Sequence, residues 1–203
     1  MGIIKRAVQV TFIYYASIQG YLVYHLKTSP KVLRNDPSPP LSSEQIPDSR
    51  RELIETVMSI WSMKQVSSEM KEKVFAQNLI VEDPFIEFNT RQGLLNSISL
   101  FPYILKSSET VSVYERHYEN AVRVEYEQKW TPKFGSPTVL ASVIYLTLKK
   151  EGDCETIVRL EEELLAKPLL TADNTGFMFA GYMASVFRKL HGKILGSINL
   201  PSH

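Results

Sequence analysis

The sequence predicts an α+β domain in which a curved antiparallel sheet wraps around helices, with a hydrophobic segment before it and an amphipathic helix after it. Three observations predict it. Apolar residues recur at three- and four-residue spacing after Asp48, as a helix packed on one face requires. From residue 110 onward, four β-patterned runs follow one another with only short turns between them. One of them, 121–131, sets Val122, Val124, Tyr126, Gln128 and Trp130 against Arg123, Glu125, Glu127 and Lys129 in strict alternation. Successive side chains of a strand point to opposite faces, so this run buries one face and solvates the other.

The elements follow in order. Asp48 or Ser49 caps a first helix whose buried stripe is Leu53, Val57, Ile60 and Trp61. A second helix over 67–77 carries Met70, Val74 and Phe75 on one face. Residues 79–86 read as strand, tight bend, strand, because Asp83-Pro84 interrupts a run of β-formers. A third helix over 92–105 presents Leu94, Leu95, Ile98 and Phe101. Strands are expected at 110–118, 121–131, 138–149 and, beyond the Glu151-Gly152-Asp153 turn, 156–165. The run 138–149 is almost all apolar β-formers, as befits a central strand covered on both faces.

Composition narrows the function. The chain has 203 residues, enough for one domain with appendages, and 44% of them are hydrophobic, which excludes disorder throughout. A lone cysteine, Cys154, excludes an internal disulfide framework, and the four histidines lie too far apart for a local metal motif. The net charge of +1 hides segregation: residues 1–35 are basic without an acid, the middle is acidic, and the last thirty residues are basic again. An acidic body argues against nucleic acid as a partner. No glycine-rich phosphate loop, Ser-His-Asp order or calcium loop is present, so no cofactor and no metal are expected.

Four segments result: 1–27, 28–47, 48–166 and 167–203. Residues 7–26 are uncharged between Lys5-Arg6 and Lys27, and twenty residues at about 1.5 Å each cross about 30 Å of hydrocarbon. Gln9, Thr11, Ser17, Gln19 and His25 interrupt that stretch, and its four tyrosines prefer an interface. Segment 1–27 is therefore expected to be a targeting or membrane-associated segment, and the protein mitochondrial or membrane-associated, with the cytoplasm as the alternative. Five prolines in 28–47 make a linker. In the last segment Phe179, Tyr182, Met183, Val186, Phe187 and Leu190 form one apolar face of a helix whose basic end is Arg188, Lys189, His191 and Lys193. That helix either covers the domain or lies on a membrane.

Several residues stand out as chemistry. Glu162 shares the inward face of its strand with Val158, Leu160 and Leu164, while Arg159, Glu161 and Glu163 point out. A buried carboxylate must be paired or protonated, unless the strand end lets it reach water. Tyr126, Gln128 and Trp130 line the inward face and suit an amphipathic ligand, although aromatic stripes also build cores. His117 sits between Arg116 and Glu119 at what reads as a solvated strand end. Cys154 lies in a polar turn and reads as incidental.

The element order and the string Val81-Glu82-Asp83-Pro84-Phe85 resemble the nuclear-transport-factor-2-like superfamily, the cone-shaped fold shared by SnoaL-like proteins and ketosteroid isomerases, over roughly 48–166. The resemblance implies an apolar pocket between sheet and helices, to which Trp61 would contribute. It also implies that Asp83 is a general base moving a proton beside a carbonyl. The pattern departs at the oxyanion donors: the tyrosine's place falls near Ser59 and the second acid's near Ala141 or Ser142. Without those donors Asp83 also reads as a bend residue capping its own turn. On these grounds the sequence favours a non-enzymatic binding domain for an apolar ligand or a protein partner at an organellar membrane, a homodimer being compatible with it. The alternatives are a SnoaL- or isomerase-type enzyme acting on a hydrophobic carbonyl substrate through Asp83 or Glu162, and a structural or assembly factor.

Overall fold

The structure is a computed structural model and describes residues 39–152, 154–165 and 178–197. The segment 1–27 and most of the linker lie outside them, as do residues 166–177. After a 3₁₀ turn at Ser43–Gln45, the elements are α1 (Asp48–Trp61), α2 (Ser68–Val74), β1 (Phe75–Glu82), β2 (Glu87–Phe88), α3 (Arg91–Ile98), α4 (Phe101–Ile104), β3 (Leu105–His117), β4 (Ala121–Pro132), β5 (Thr138–Glu151), β6 (Cys154–Leu164) and α5 (Met178–Gly196). The α+β class expected from the sequence is the one observed.

The six strands lie in the order β2-β1-β6-β5-β4-β3. Every pairing is antiparallel except β1 with β6, which is parallel, so the sheet is mixed where a purely antiparallel one is expected. The reason is topological: β1 follows α1 and α2 but precedes the β3–β6 meander, and it lies beside the last strand of that meander. The central position expected for 138–149 holds, since β5 pairs on both sides and buries the consecutive residues Val143 and Ile144.

The core fills the concave face. Leu53, Ile54, Val57 and Trp61 of α1 meet Phe75, Leu79 and Val81 of β1, Val122, Val124 and Tyr126 of β4, and Ile144 and Leu146 of β5. Each fully buried aliphatic or aromatic side chain contributes about 1.5–3 kcal/mol relative to exposure. At one end Arg50 ties α1 to the sheet. It is 3% exposed, pairs with Glu155 of β6, and donates to the carbonyls of Tyr118 at 2.6 Å and Glu119 at 3.0 Å.

Several expectations are corrected. The helix of 67–77 stops at Val74, and Phe75, Ala76 and Gln77 belong to β1. The helix of 92–105 is two pieces broken at Ser99 and Leu100, with Pro102 in the second, and Leu105 opens β3. In β6 a bulge at Val158, between the pairs Leu148–Ile157 and Thr147–Arg159, turns Ile157 inward where the alternation points to Val158. Arg123 is buried on the outer face, not solvated, because Tyr145 lies opposite it with its ring 5.9 Å from the guanidinium and Glu125 pairs with it at 3.0 Å. Glu163 on the same outer side is likewise buried.

The last helix differs most. Val186 and Leu190 of the expected apolar face are exposed, whereas Arg188 and Gly192 are buried. Helix α5 lies against α3 and β2. Gly192 makes this seat: a Cβ there would run into the Glu87 carbonyl oxygen. Over the residues whose side chains are described, 185–197, close backbone approach at Gly192 sets the side that faces the domain; Phe179, Tyr182 and Met183 of the expected face lie outside them. No described helix is long and apolar enough to cross a membrane.

Candidate functional site

The parallel pairing places the two acids singled out above side by side. Val81 of β1 sits opposite Leu160 of β6, and both are core residues. Residues two apart share a face, so the register carried two positions on sets Asp83 beside Glu162 on the concave side. The next strands continue the row. Glu162 pairs with Ile144 of β5, and Ser142, two residues earlier, pairs with Tyr126 of β4. Trp61 reaches the same region from the end of α1.

Asp83 caps its own bend. Its Oδ1 accepts the backbone N–H groups of Phe85 and Ile86, each at 2.6 Å, and its own N–H donates to the Ile86 carbonyl at 3.0 Å. The bend reading from sequence is therefore the geometry observed, and it does not exhaust the residue. Burial of the carboxyl, helped by the negative charge of Glu162, pushes it up from 3.8 to about 7. The two backbone bonds and the Arg188 guanidinium pull the other way. An aspartate in this state exchanges a proton near neutral pH, which is what general acid–base chemistry needs.

Glu162 is not a frayed strand end. Tyr126 Oη donates to its Oε1 at 2.6 Å. Burial holds this carboxyl above the ordinary range, while Tyr126, Ser142 and Trp61 favour its charged form by hydrogen bonding. Burial and the facing carboxylate hold the Tyr126 phenol well above its usual value, so it stays a donor. Tyr126 and Glu162, from different strands, form a tyrosine–acid pair at positions other than those that the resemblance marks.

The other residues named from sequence lie elsewhere. Gln128 is 1% exposed and fixes the end of α1 to the sheet. Its Nε2 donates to Ser108 Oγ at 2.8 Å, its Oε1 accepts from Thr110 Oγ1 at 3.0 Å, and Ser108 Oγ donates to the Trp61 carbonyl at 2.8 Å. Trp130 is half-buried with its ring 6.3 Å from Phe101. His117 is 5% exposed, not solvated, because Leu41 N–H bonds its carbonyl and α1 packs close; burial lowers its pKa against the pull of Glu115 at 3.0 Å. Cys154 is exposed. A cleft of about 250 Å³ lined by Phe75, Gln77, Asn78, Arg91, Lys149 and Thr156 does not touch the acid pair. Among the described residues no cluster of His, Cys, Asp and Glu could hold a metal ion.

Sequence reasoning missed Arg188. It is 4% exposed, and the acids Glu82, Glu87 and Asp83 all act on it. The available signal was glycine at 192 and 196, four and eight residues beyond it on the same helix face: glycine inside a helix marks close packing, and Arg188 shares that face.

No family model matches the chain, and no curated protein matches it. Solved structures do resemble it. A hexachlorocyclohexane dehydrochlorinase of type 2 is 10% identical with a TM-score of 0.47, over 57% of this chain and 82% of that one. A SnoaL-like family protein from Agrobacterium tumefaciens strain C58 is 16% identical with a TM-score of 0.45, over 57% and 97%. A protein of ketosteroid isomerase-like fold from Catenulispora acidiphila DSM 44928, in complex with trimethylamine, is 12% identical with a TM-score of 0.44, over 55% and 84%. The second and third are described as SnoaL-like and ketosteroid isomerase-like, the kind of fold that the element order resembles. At such identities the likeness concerns fold and carries no chemistry.

Proposed function

We propose that this protein is an acid–base enzyme of the isomerase type, moving a proton beside the carbonyl of an apolar substrate. The observation that carries the reading is the approach of Asp83, in the bend after β1, to Glu162 of β6, close enough for the Glu162 charge to act on an Asp83 carboxyl that titrates at about 7. Composition and spacing alone favour binding without catalysis; two acids brought together, one of them pushed up to about 7, move the reading toward proton transfer.

In the reaction Asp83 accepts the proton from the carbon next to the carbonyl. The electron pair of that C–H bond moves into the new C=C bond, and the carbonyl π pair moves onto oxygen. The Tyr126 hydroxyl, which rests on the Glu162 carboxylate in the free protein, turns to donate a hydrogen bond to this oxyanion. Asp83 then returns the proton to another carbon of the conjugated system. The two backbone bonds on Oδ1 hold the carboxyl in one orientation and leave Oδ2 for the proton.

The experiment is solvent deuterium incorporation into a panel of cyclic β,γ-unsaturated ketones and enones, read by mass spectrometry on the full chain. Wild-type protein is expected to exceed buffer, with an acidic limb near pH 7. Tyr126→Phe is expected to lower the rate by about 10²-fold, as loss of one oxyanion donor does. Glu162→Gln removes the like charge facing Asp83, so the limb moves to lower pH. Incorporation no faster than buffer for every probe would overturn the reading.

A second reading, a non-catalytic domain for a protein partner, has one observation in its favour. Val111, Val113 and Tyr114 are exposed on β3, the outer strand of the sheet. A wild-type protein inert to all probes would leave this reading standing.

A further inference from the structure

Helix α5 is built to be held in one place. Gly192 lets it lie directly on the backbone of Glu87, and Gly196 packs 3.4 Å from the Cα of Gly93 if given a Cβ. Asn96 Nδ2 donates to the Gly196 carbonyl at 2.6 Å, His191 Nδ1 bonds the Phe85 carbonyl at 3.1 Å, and Lys189 pairs with Glu87 at 3.7 Å. All of these reach the bend that Asp83 caps or the helix that follows it. Arg188 precedes His191 by three residues and Gly192 by four, so it shares their face and enters the same bend. A guanidinium only 4% exposed needs anionic partners, and the bend supplies three acids.

We propose that α5 is a working part of the site: its seat on β2 and α3 holds the Arg188 guanidinium against the Asp83 bend, making Arg188 the positioning residue that keeps Asp83 available as proton acceptor. This deepens the proton-transfer reading and rests on it for its meaning, though the electrostatic role is measured separately.

The charges around Asp83 come from every side. Glu162 on β6 opposes its ionisation and Arg188 on α5 favours it. Glu82 is already paired with Arg159 of β6, and Glu87 with Lys189. Arg188 is thus a cation that acts on Asp83 itself. Burial and Arg188 push in opposite directions, and α5 carries Arg188 while resting on the bend and strand that follow Asp83, so two substitutions separate them.

The test follows the side-chain carboxyl of Asp83 by carbon-13 NMR against pH, in the full chain. Arg188→Met keeps the helix seated and removes the charge, so the Asp83 midpoint is expected to rise by about one pH unit. Arg188→Lys keeps a charge there and should hold the midpoint near that of wild type. Gly192→Leu forces the helix off its seat and lets water reach the carboxyl, so the midpoint should fall toward the ordinary aspartate value. Opposite movements in the Met and Leu variants support the proposal, and a retained circular-dichroism spectrum shows the domain is folded in each. An unchanged midpoint in Arg188→Met overturns it, as does a rise in Gly192→Leu. If the midpoints move as expected while no variant and no wild-type protein incorporates deuterium, the Arg188 assignment stands and the enzymatic reading falls.

Discussion

Asp83→Asn is expected to cut proton transfer by about 10²–10⁴-fold and, in the same protein, to raise stability above neutral pH. The amide matches the carboxylate in volume, and its oxygen can still accept the Phe85 and Ile86 N–H groups, so the bend survives. It cannot take a proton. The stability arm has a definite sign. Folding raises this carboxyl from 3.8 to about 7, so the folded state favours the protonated form. Such an acid costs nothing below about pH 4, and stability is lost as pH rises from there to about 7, where the loss levels off. For a half-buried residue the difference comes to about 2–4 kcal/mol. Urea unfolding at pH 5 and pH 8.5 measures it: the variant should gain on wild type between the two. Parallel pH dependence in both proteins would show that the carboxyl is not raised.

Arg50→Met is expected to destabilise the fold by about 3–5 kcal/mol, the cost of breaking a buried ion pair by removing one partner. The guanidinium meets Glu155 and the carbonyls of Tyr118 and Glu119 from the first turn of α1. Its loss leaves a carboxylate whose side chain is 10% exposed and two carbonyls without their donor. The double variant Arg50→Met, Glu155→Met should recover part of that loss, because the orphaned charge goes too. Denaturant midpoints of the three proteins decide; a single variant within about 0.5 kcal/mol of wild type would show the pair contributes little.

Local pattern made much of this molecule readable. The alternation in β4 names Val122, Val124 and Tyr126 as core, and they are. Glu162 is picked out by apolar neighbours on its own strand, which is why a carboxyl from β6 is found among core residues. What local pattern cannot hold is the partner of that carboxyl. Asp83 meets Glu162 through a parallel pairing between distant segments, and no periodicity within either segment encodes it. Tyr126 and Gln128 look alike in the alternation, both inward and both polar-tipped. Only the position of α1 separates them, setting Gln128 under the helix end and leaving Tyr126 against Glu162. Arg188 was hidden by its surroundings: a basic residue near the end of a helix reads as a dipole partner, and only two glycines hint that its face is the buried one.

The parallel pairing also sets an order of assembly. Strands β3 to β6 join by short turns and can zip as local hairpins, whereas β1 must return to β6 across about 80 residues. Closing a span of that length before any contact rewards it is slow, so β1 docks after the meander has formed. Until then β6 shows an open edge to every other unfinished chain. Along that edge run Glu161, Glu162 and Glu163 in succession, and like charges set against a second copy of themselves repel. The carboxyl that later meets Asp83 thus first helps guard a nascent strand against the wrong neighbour.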